Sequence, residues 1–326
     1  MLKPPPAELL ISSENTISPV RFDRDPALRR VRAGAYVPTD AWDALKPWER
    51  YLLRVHAVAR SWRNPTFCLE AALSLQGLPI FGEPAEIHVL DTYGRRRGDV
   101  HMHGGIRNHE IATIDGLSLT TWVDTAVAFA RVAPPAHALA VADAVIRSHL
   151  DAGRDVDLRQ RAAAQAERRG LRQVAWVQEH ARAEAESVGE AVSRAVIEWL
   201  GYEEPELQVE FVAEGHRDRV DFFWRAAQVI GESDGYGKYD ASDPRAMKAH
   251  FVREKQREDR LRRQVRGFAR WDWKDAMHPD RLDRTLRNAG LRPVRPRRQR
   301  MLDAVAQNPR GLPAATGIQH EKPDFG

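Results

Sequence analysis

Asp221 sits in the run Arg219-Val220-Asp221-Phe222-Phe223-Trp224, and a second run, Val229-Ile230-Gly231-Glu232-Ser233-Asp234-Gly235, follows it closely and leads to Lys238. If the two runs pair as strands, Asp221, Glu232 and Asp234 converge. Carboxylates a few ångströms apart oppose one another's ionisation unless a cation sits among them. A hard divalent ion such as Mg2+ meets that need through one or two carboxylates, waters and a substrate phosphate. Asp-Gly is also a common hairpin signal, so Glu232 and Asp234 can equally be read as an exposed strand end closed by a turn.

The elements that must carry these residues follow from patterning. Arg225 to Ala227 separate two β-type runs, which predicts a hairpin or two adjacent strands. Alternation sends Val220, Phe222 and Trp224 to one face and Asp221 to the other, with Glu232 and Asp234 sharing a face. Upstream, Glu184 to Leu200 reads as a helix whose apolar stripe is Val188, Val192, Ala195, Val196 and Trp199. Glu190 lies opposite that stripe, where pairing with Arg194 on the solvent side is the geometric expectation. Pro205 to Phe211 reads as a strand, Met247 to Val265 as a helix, and Gly267 to Trp273 as a further strand.

The order helix, three strands, helix, strand, helix over residues 184–292 resembles the restriction-endonuclease-like superfamily (PD-(D/E)XK), in particular its very-short-patch-repair branch. The resemblance rests on Asp221 with Glu232-x-Asp234-Gly235, on Glu186 to Arg194, and on Glu254-Lys255-Gln256-Arg257-Glu258-Asp259-Arg260-Leu261-Arg262 followed by Arg270-Trp271-x-Trp273. It implies that Asp221 and Glu232 hold Mg2+ or Mn2+, with the carbonyl of Ser233 as a third ligand and Glu190 approaching the ion from the first helix. It also implies a lysine two residues after the second acid. Asp234 stands there instead, which leaves Lys238 or Lys255 as the substitute cation.

Composition bounds the rest. A chain of 326 residues has room for two or three modules, and 43% hydrophobic with 29% charged residues is ordinary for a globular protein. The single Cys68 excludes an internal disulfide framework and makes a reducing cytoplasm the simplest compartment. The N-terminal stretch lacks the apolar run of a signal peptide, and no run has the length a membrane helix needs. The net charge of +4 is modest, but Arg253 to Lys274 holds nine basic residues against four acids, and Arg281 to Arg300 eight arginines against Asp283. Such bias suggests a polyanion partner, with Arg257 and Arg270 as candidate contacts; a salt-bridged helix face is the alternative for the first cluster.

Further upstream, Leu28 to Val37 reads as a basic β-hairpin that exposes Arg29, Arg30 and Arg32 to phosphates. Helices are expected at 47–60 and 67–75, strands at 86–90 and 99–102, and helices at 122–132 and 136–150. Arg95, Arg96 and Arg97 fall on a predicted turn between strands, either as a phosphate contact or as an ordinary hydrophilic turn. Leu28 to Tyr36, Cys68 to Pro79, Ile87 to Val89 and Asp115 to Ala126 resemble, in order, the AbiEi family of antitoxins from type IV toxin–antitoxin systems. That resemblance implies a winged-helix-like DNA-binding module joined to an α/β domain, transcriptional autoregulation and a cognate toxin partner. Residues 1–27 lack the periodic helices that family places before its hairpin.

The expected organisation is α/β (α+β overall): a flexible arm at 1–24, an AbiEi-like module at 25–150, a helical bridge at 151–183, the nuclease-like domain at 184–292 and a disordered Arg/Pro-rich tail at 293–326. His101 and His103 alternate on one strand face without an evident third ligand and are read as surface residues. His88, His109 and His149 show no base or nucleophile partner. Two functions from different classes follow: a metal-dependent DNA endonuclease, or a non-enzymatic DNA-binding regulator of the antitoxin type. A nuclease fold kept as an inactive interaction scaffold is the third.

Overall fold

The computed structural model describes residues 1–14, 22–234, 244–305 and 307–312. Among them the fold is mixed α/β of the α+β kind, with three separate sheets.

The first 151 residues carry two of these sheets and five helices. Strands β1 (Leu10–Ile11), β2 (Leu28–Arg32) and β3 (Ala35–Pro38) make a small sheet ordered β1-β3-β2. Helices α1 (Thr39–Ala44) and α2 (Pro47–Ser61) follow, then β4 (Thr66–Phe67), α3 (Leu69–Gln76), β5 (Ile87–Leu90), β6 (Arg95–Arg97), β7 (Val100–His103), β8 (Ile111–Ile114), β9 (Leu117–Thr120), α4 (Trp122–Val132) and α5 (Pro135–Asp151). The larger sheet has the order β6-β7-β5-β4-β9-β8. Helix α2 is amphipathic on two sides. Tyr51, Val55 and Val58 pack with α3 against that sheet, whereas Leu53 and Ala57 meet Ile11 and Val37 of the small one, with Leu9 before it and Trp42 of α1. Helix α3 stops at Gly77, whose left-handed φ of 73° closes its last turn without a Cβ penalty.

Two short helices, α6 (Leu158–Ala164) and α7 (Leu171–His180), then pack on α4 and α5 as the expected bridge. The chain enters α8 (Val188–Trp199), capped by the Ser187 hydroxyl. Strands β10 (Glu206–Ala213), β11 (His216–Trp224) and β12 (Val229–Asp234) form an antiparallel meander. After α9 (Pro244–Arg262), β13 (Gly267–Asp272) returns parallel to β12. Helices α10 (Trp273–Ala276), α11 (Pro279–Asn288) and α12 (Gln299–Val305) complete the chain. The sheet has one face on α8, through Phe222, Trp224, Val229, Ala269 and Trp271, and the other on α9, through Phe223, Ile230 and Leu261. Gly231 is needed on the first face, since a Cβ there would lie 2.7 Å from the Trp271 ring and 2.9 Å from that of Trp224.

Several expectations need correction. Residues 1–14 are docked rather than free: Leu9 and Ile11 are buried and the Lys3 N–H donates to Leu75 O. The arginines at 95–97 form an edge strand paired to β7, not a turn. Val220 packs with Phe223 and Ile230 rather than with Phe222 and Trp224, so β11 breaks its alternation beside Asp221. Between the ladder pairs that flank the break, Leu207 with Phe222 and Val209 with Val220, Gln208 has a left-handed φ of 53°. The segment from 293 is ordered to 305 and again over 307–312: Leu302 and Val305 are buried beside α8, and Gly311 bridges Pro84. The N- and C-terminal halves pack on one another, α5 on α8, and Arg194 reaches back to Asp143 at 2.7 Å.

Candidate functional site: a carboxylate cluster between the central strands

One residue beyond the last ladder pair, Phe222 with Gly231, Asp221 and Glu232 stand opposite one another on β11 and β12. The ladder opens there because the Ser233 N–H turns to Oδ2 of Asp221, at 2.9 Å, instead of a carbonyl. Glu190 comes from the first turn of α8 and is 5% exposed. Its Oε2 accepts from the Glu186 N–H at 3.0 Å and from Gln208 Nε2 at 2.9 Å. Gln208 also contacts Asp221, so it joins the two acids. Ser233 lies under α8, where a Cβ on Gly189 would meet its hydroxyl at 3.0 Å.

Glu190 is therefore not the solvent-facing partner of Arg194 that helix periodicity suggests. Arg194 is buried and spent on Asp143 and the His180 carbonyl, which frees Glu190 to face the sheet.

Electrostatics mark the cluster as short of positive charge. Burial and then the neighbouring Glu190 push the Asp221 carboxyl up to about 6. Burial and then Asp221 push Glu232 up to about 7. Both rises mean that the ionised pair is disfavoured in the fold and would be favoured by a bound cation. Arg257 from α9 offsets part of this, donating to Glu232 Oε1 at 3.0 Å and to Arg219 O at 2.6 Å.

The remaining expected site residues distribute as follows. Asp234 does not join Asp221 and Glu232; Arg270 holds it at 2.7 Å and 2.9 Å and also binds Glu258 at 3.0 Å. Lys255 pairs with Asp259 at 3.2 Å on the exposed side of α9, away from Arg257. Lys238 lies outside the described residues. Arg257 and Arg270, expected to meet nucleic acid, are engaged by the protein's own carboxylates. Gln208 has no signal in the sequence, since nothing in a strand pattern distinguishes an inward amide.

Hard oxygen donors with raised pKa values fit a divalent ion of the Mg2+ type held by two carboxylates. Asp221, Glu232 and Glu190 do not form a closed three-ligand group. Among the described residues the group of three or more whose ligand atoms all lie within 4.8 Å of one another is His88, His101 and His103.

The basic surface of the N-terminal half is partly self-paired. Arg29 and Arg30 are exposed, Arg29 lying 3.6 Å from Asp43 and over the Trp42 ring. Arg32 is tucked under, 3.8 Å from Asp99 and over Trp62, and burial lowers its pKa, so it is not the open phosphate contact expected. Arg95 and Arg96 pair with Asp91 and Glu86 at 3.1 Å and 3.0 Å. With Arg63, Trp62 and Arg97 they nevertheless line an open groove along β6.

In comparisons with protein-family models, curated proteins and solved structures, nothing matches this chain. No helix among the described residues is long and apolar enough to cross a membrane.

Proposed function

We propose that the carboxylate cluster is the site of a metal-dependent phosphodiester hydrolase acting on DNA in the cytoplasm. The observation that carries this reading is Asp221 opposite Glu232 on adjacent strands, both with raised pKa values and with Glu190 behind them. Support also comes from the helix–meander–helix–parallel-strand order, which agrees with the restriction-endonuclease-like resemblance.

Asp221 and Glu232, with the Ser233 carbonyl, are the residues that would hold Mg2+ or Mn2+. Such an ion polarises a phosphodiester oxygen and lowers the pKa of an attacking water. The protein's own part is positional and electrostatic. The Ser233 N–H fixes the Asp221 carboxylate, and Gln208 ties it to Glu190. Arg257 is the described cation at the site, so it replaces the family's lysine in offsetting charge on the phosphate. An arginine stays protonated and cannot serve as a base. The groove of Arg63, Arg95, Arg96 and Arg97 beside Trp62 supplies a surface for backbone phosphates and a stacked base.

Incubating supercoiled and single-stranded DNA with the purified protein and Mg2+ or Mn2+, beside an Asp221→Ala/Glu232→Ala variant, tests the reading. Cleavage by the wild type alone supports it. Equal cleavage by both, or cleavage by neither, overturns it.

A second reading is favoured by Asp234, which stands at the usual lysine position and is locked to Arg270. On that reading the chain is a DNA-binding regulator of the AbiEi antitoxin type with a toxin partner, and its nuclease-like half is a scaffold. Absence of cleavage together with salt-sensitive binding to the DNA upstream of its own gene supports it.

A further inference from the structure

A second cluster lies on the six-stranded sheet, well separated in sequence from the carboxylates. Strands β5 and β7 run parallel, with His88 beside His101 and Leu90 beside His103. His101 and His103 share a face because they are two apart on a strand. Parallel pairing then adds His88 from the neighbouring strand to that same face. The third ligand missing from the local sequence pattern is therefore supplied by register. The ring centroid of His88 lies 5.7 Å and 5.1 Å from those of His101 and His103, which stack at 4.1 Å.

We propose that His88, His101 and His103 form a binding site for a zinc-class divalent transition-metal ion with an open fourth position. One ligand nitrogen from each ring lies within 4.8 Å of the others. His88 Nδ1 and His103 Nε2 already face each other at 2.9 Å. Tetrahedral zinc, with Zn–N of about 2.0–2.1 Å, requires those two nitrogens about 3.3 Å apart, an opening of a few tenths of an ångström. The ion takes the place of the proton the two rings now share.

The surroundings match those of a built site. A ligating histidine characteristically directs its other ring nitrogen at a carboxylate or carbonyl. Here Glu86 Oε2 lies 3.2 Å from His101 Nδ1, and Glu70 Oε2 lies 3.5 Å from His88 Nε2. Ligation uses the neutral imidazole, the form with a free ring nitrogen to offer. Three neutral imidazoles select a borderline ion rather than Mg2+ or Ca2+, which prefer oxygen. His101 and His103 are partly exposed, which provides an entry path and leaves room for a water as fourth ligand.

Arg310 is the opposing charge. Its Nη2 lies 3.0 Å from His88 Nε2 and 2.7 Å from Glu70. Once Nδ1 of His88 ligates, Nε2 carries the hydrogen and donates to Glu70 in place of accepting from Arg310. Glu70 and Glu86 compensate the added charge.

The test is titration of the full chain, stripped of metal by chelation, with Co2+ and then Zn2+. One equivalent of Co2+ is expected to give an intense tetrahedral visible band that Zn2+ bleaches. His101→Ala and His103→Ala should each lose more than about 100-fold in affinity with unchanged far-ultraviolet circular dichroism, and Glu86→Gln about 10-fold. Asp221→Asn should leave the band intact, which separates this site from the carboxylate cluster. If the alanine variants misfold, X-ray absorption of the wild-type Zn2+ complex decides, with imidazole scattering from three rings expected. No band at one equivalent, a band of undiminished strength in both histidine variants, or oxygen-only scattering overturns the proposal.

Discussion

The Ser233 N–H donates to the side chain of Asp221 at 2.9 Å, at the point where β11 and β12 cease to exchange backbone hydrogen bonds. The bond holds the carboxylate where the β11–β12 ladder ends, close enough to Glu232 for each acid to act on the other's charge. That donor fixes the orientation of Asp221 and favours its ionised form, but burial and Glu190 outweigh it and keep the carboxyl hard to ionise.

That cost should be visible in stability. Asp221 has its folded pKa raised to about 6, above the carboxylate value of about 4 in an unfolded chain. Its favourable contribution is complete below about pH 4 and is lost as pH rises through about 6. Asp221→Asn should therefore stabilise the metal-free protein, with a gain that grows between about pH 4 and 6 and levels at about 3 kcal/mol. Urea denaturation at pH 4, 5, 6 and 8 measures this, and a gain that shrinks with rising pH would contradict it.

Mg2+ binding should tighten with pH for the same reason. Glu232 holds its proton up to about pH 7 and Asp221 to about pH 6. Calorimetry in buffers of different ionisation enthalpy should detect proton release below about pH 7, fading by about pH 8.

Arg257→Gln should reduce DNA cleavage at least about 100-fold, as for loss of one charge-stabilising group at a reacting phosphate. Removing the guanidinium leaves the Glu232 carboxylate without its 3.0 Å donor, so the pH at which activity appears should also move upward. Rates measured from pH 6 to 9 separate these effects from simple unfolding, which would abolish activity at every pH.

The β6 groove offers a salt-dependent signature. Replacing Arg63, Arg95 and Arg97 by Gln should weaken DNA binding across all sequences and flatten the plot of log K against log salt by about 0.9 for each phosphate that is no longer neutralised. Fluorescence anisotropy from low to moderate salt reads both changes. An unchanged slope would place the DNA elsewhere.

Breaking the buried Asp143–Arg194 pair should be severe, because Asp143 is 2% exposed and the partner charge would be stranded. Arg194→Ala is expected to destabilise by about 3–5 kcal/mol. Asp143→Ala with Arg194→Leu together should recover part of it, as thermal unfolding of the two variants beside the wild type will show.

Much of this protein is written in local pattern. The alternation and apolar spacing in residues 184–272 are enough to place a helix, a three-strand meander, a helix and a strand, and Asp221 and Glu232 stand out as acids at strand positions where a bland residue would serve. Patterning of period 2 or 3.6 identifies an element and one of its faces because it reflects only the chain's own geometry. What that face meets depends on partners distant in sequence. Arg194 is drawn from Glu190 to Asp143, 51 residues away, and only that exchange turns Glu190 toward Asp221. β11 breaks its alternation between Val220 and Phe222, which no alternation rule anticipates. Arg257 reaches Glu232 because α9 packs on that face of the sheet. His88 meets His101 and His103 through a parallel register that closes over the intervening chain. Residue types and spacing thus determined which chemistry was available, and tertiary packing decided which groups share a site, since contacts between elements are set by the burial of all their faces at once.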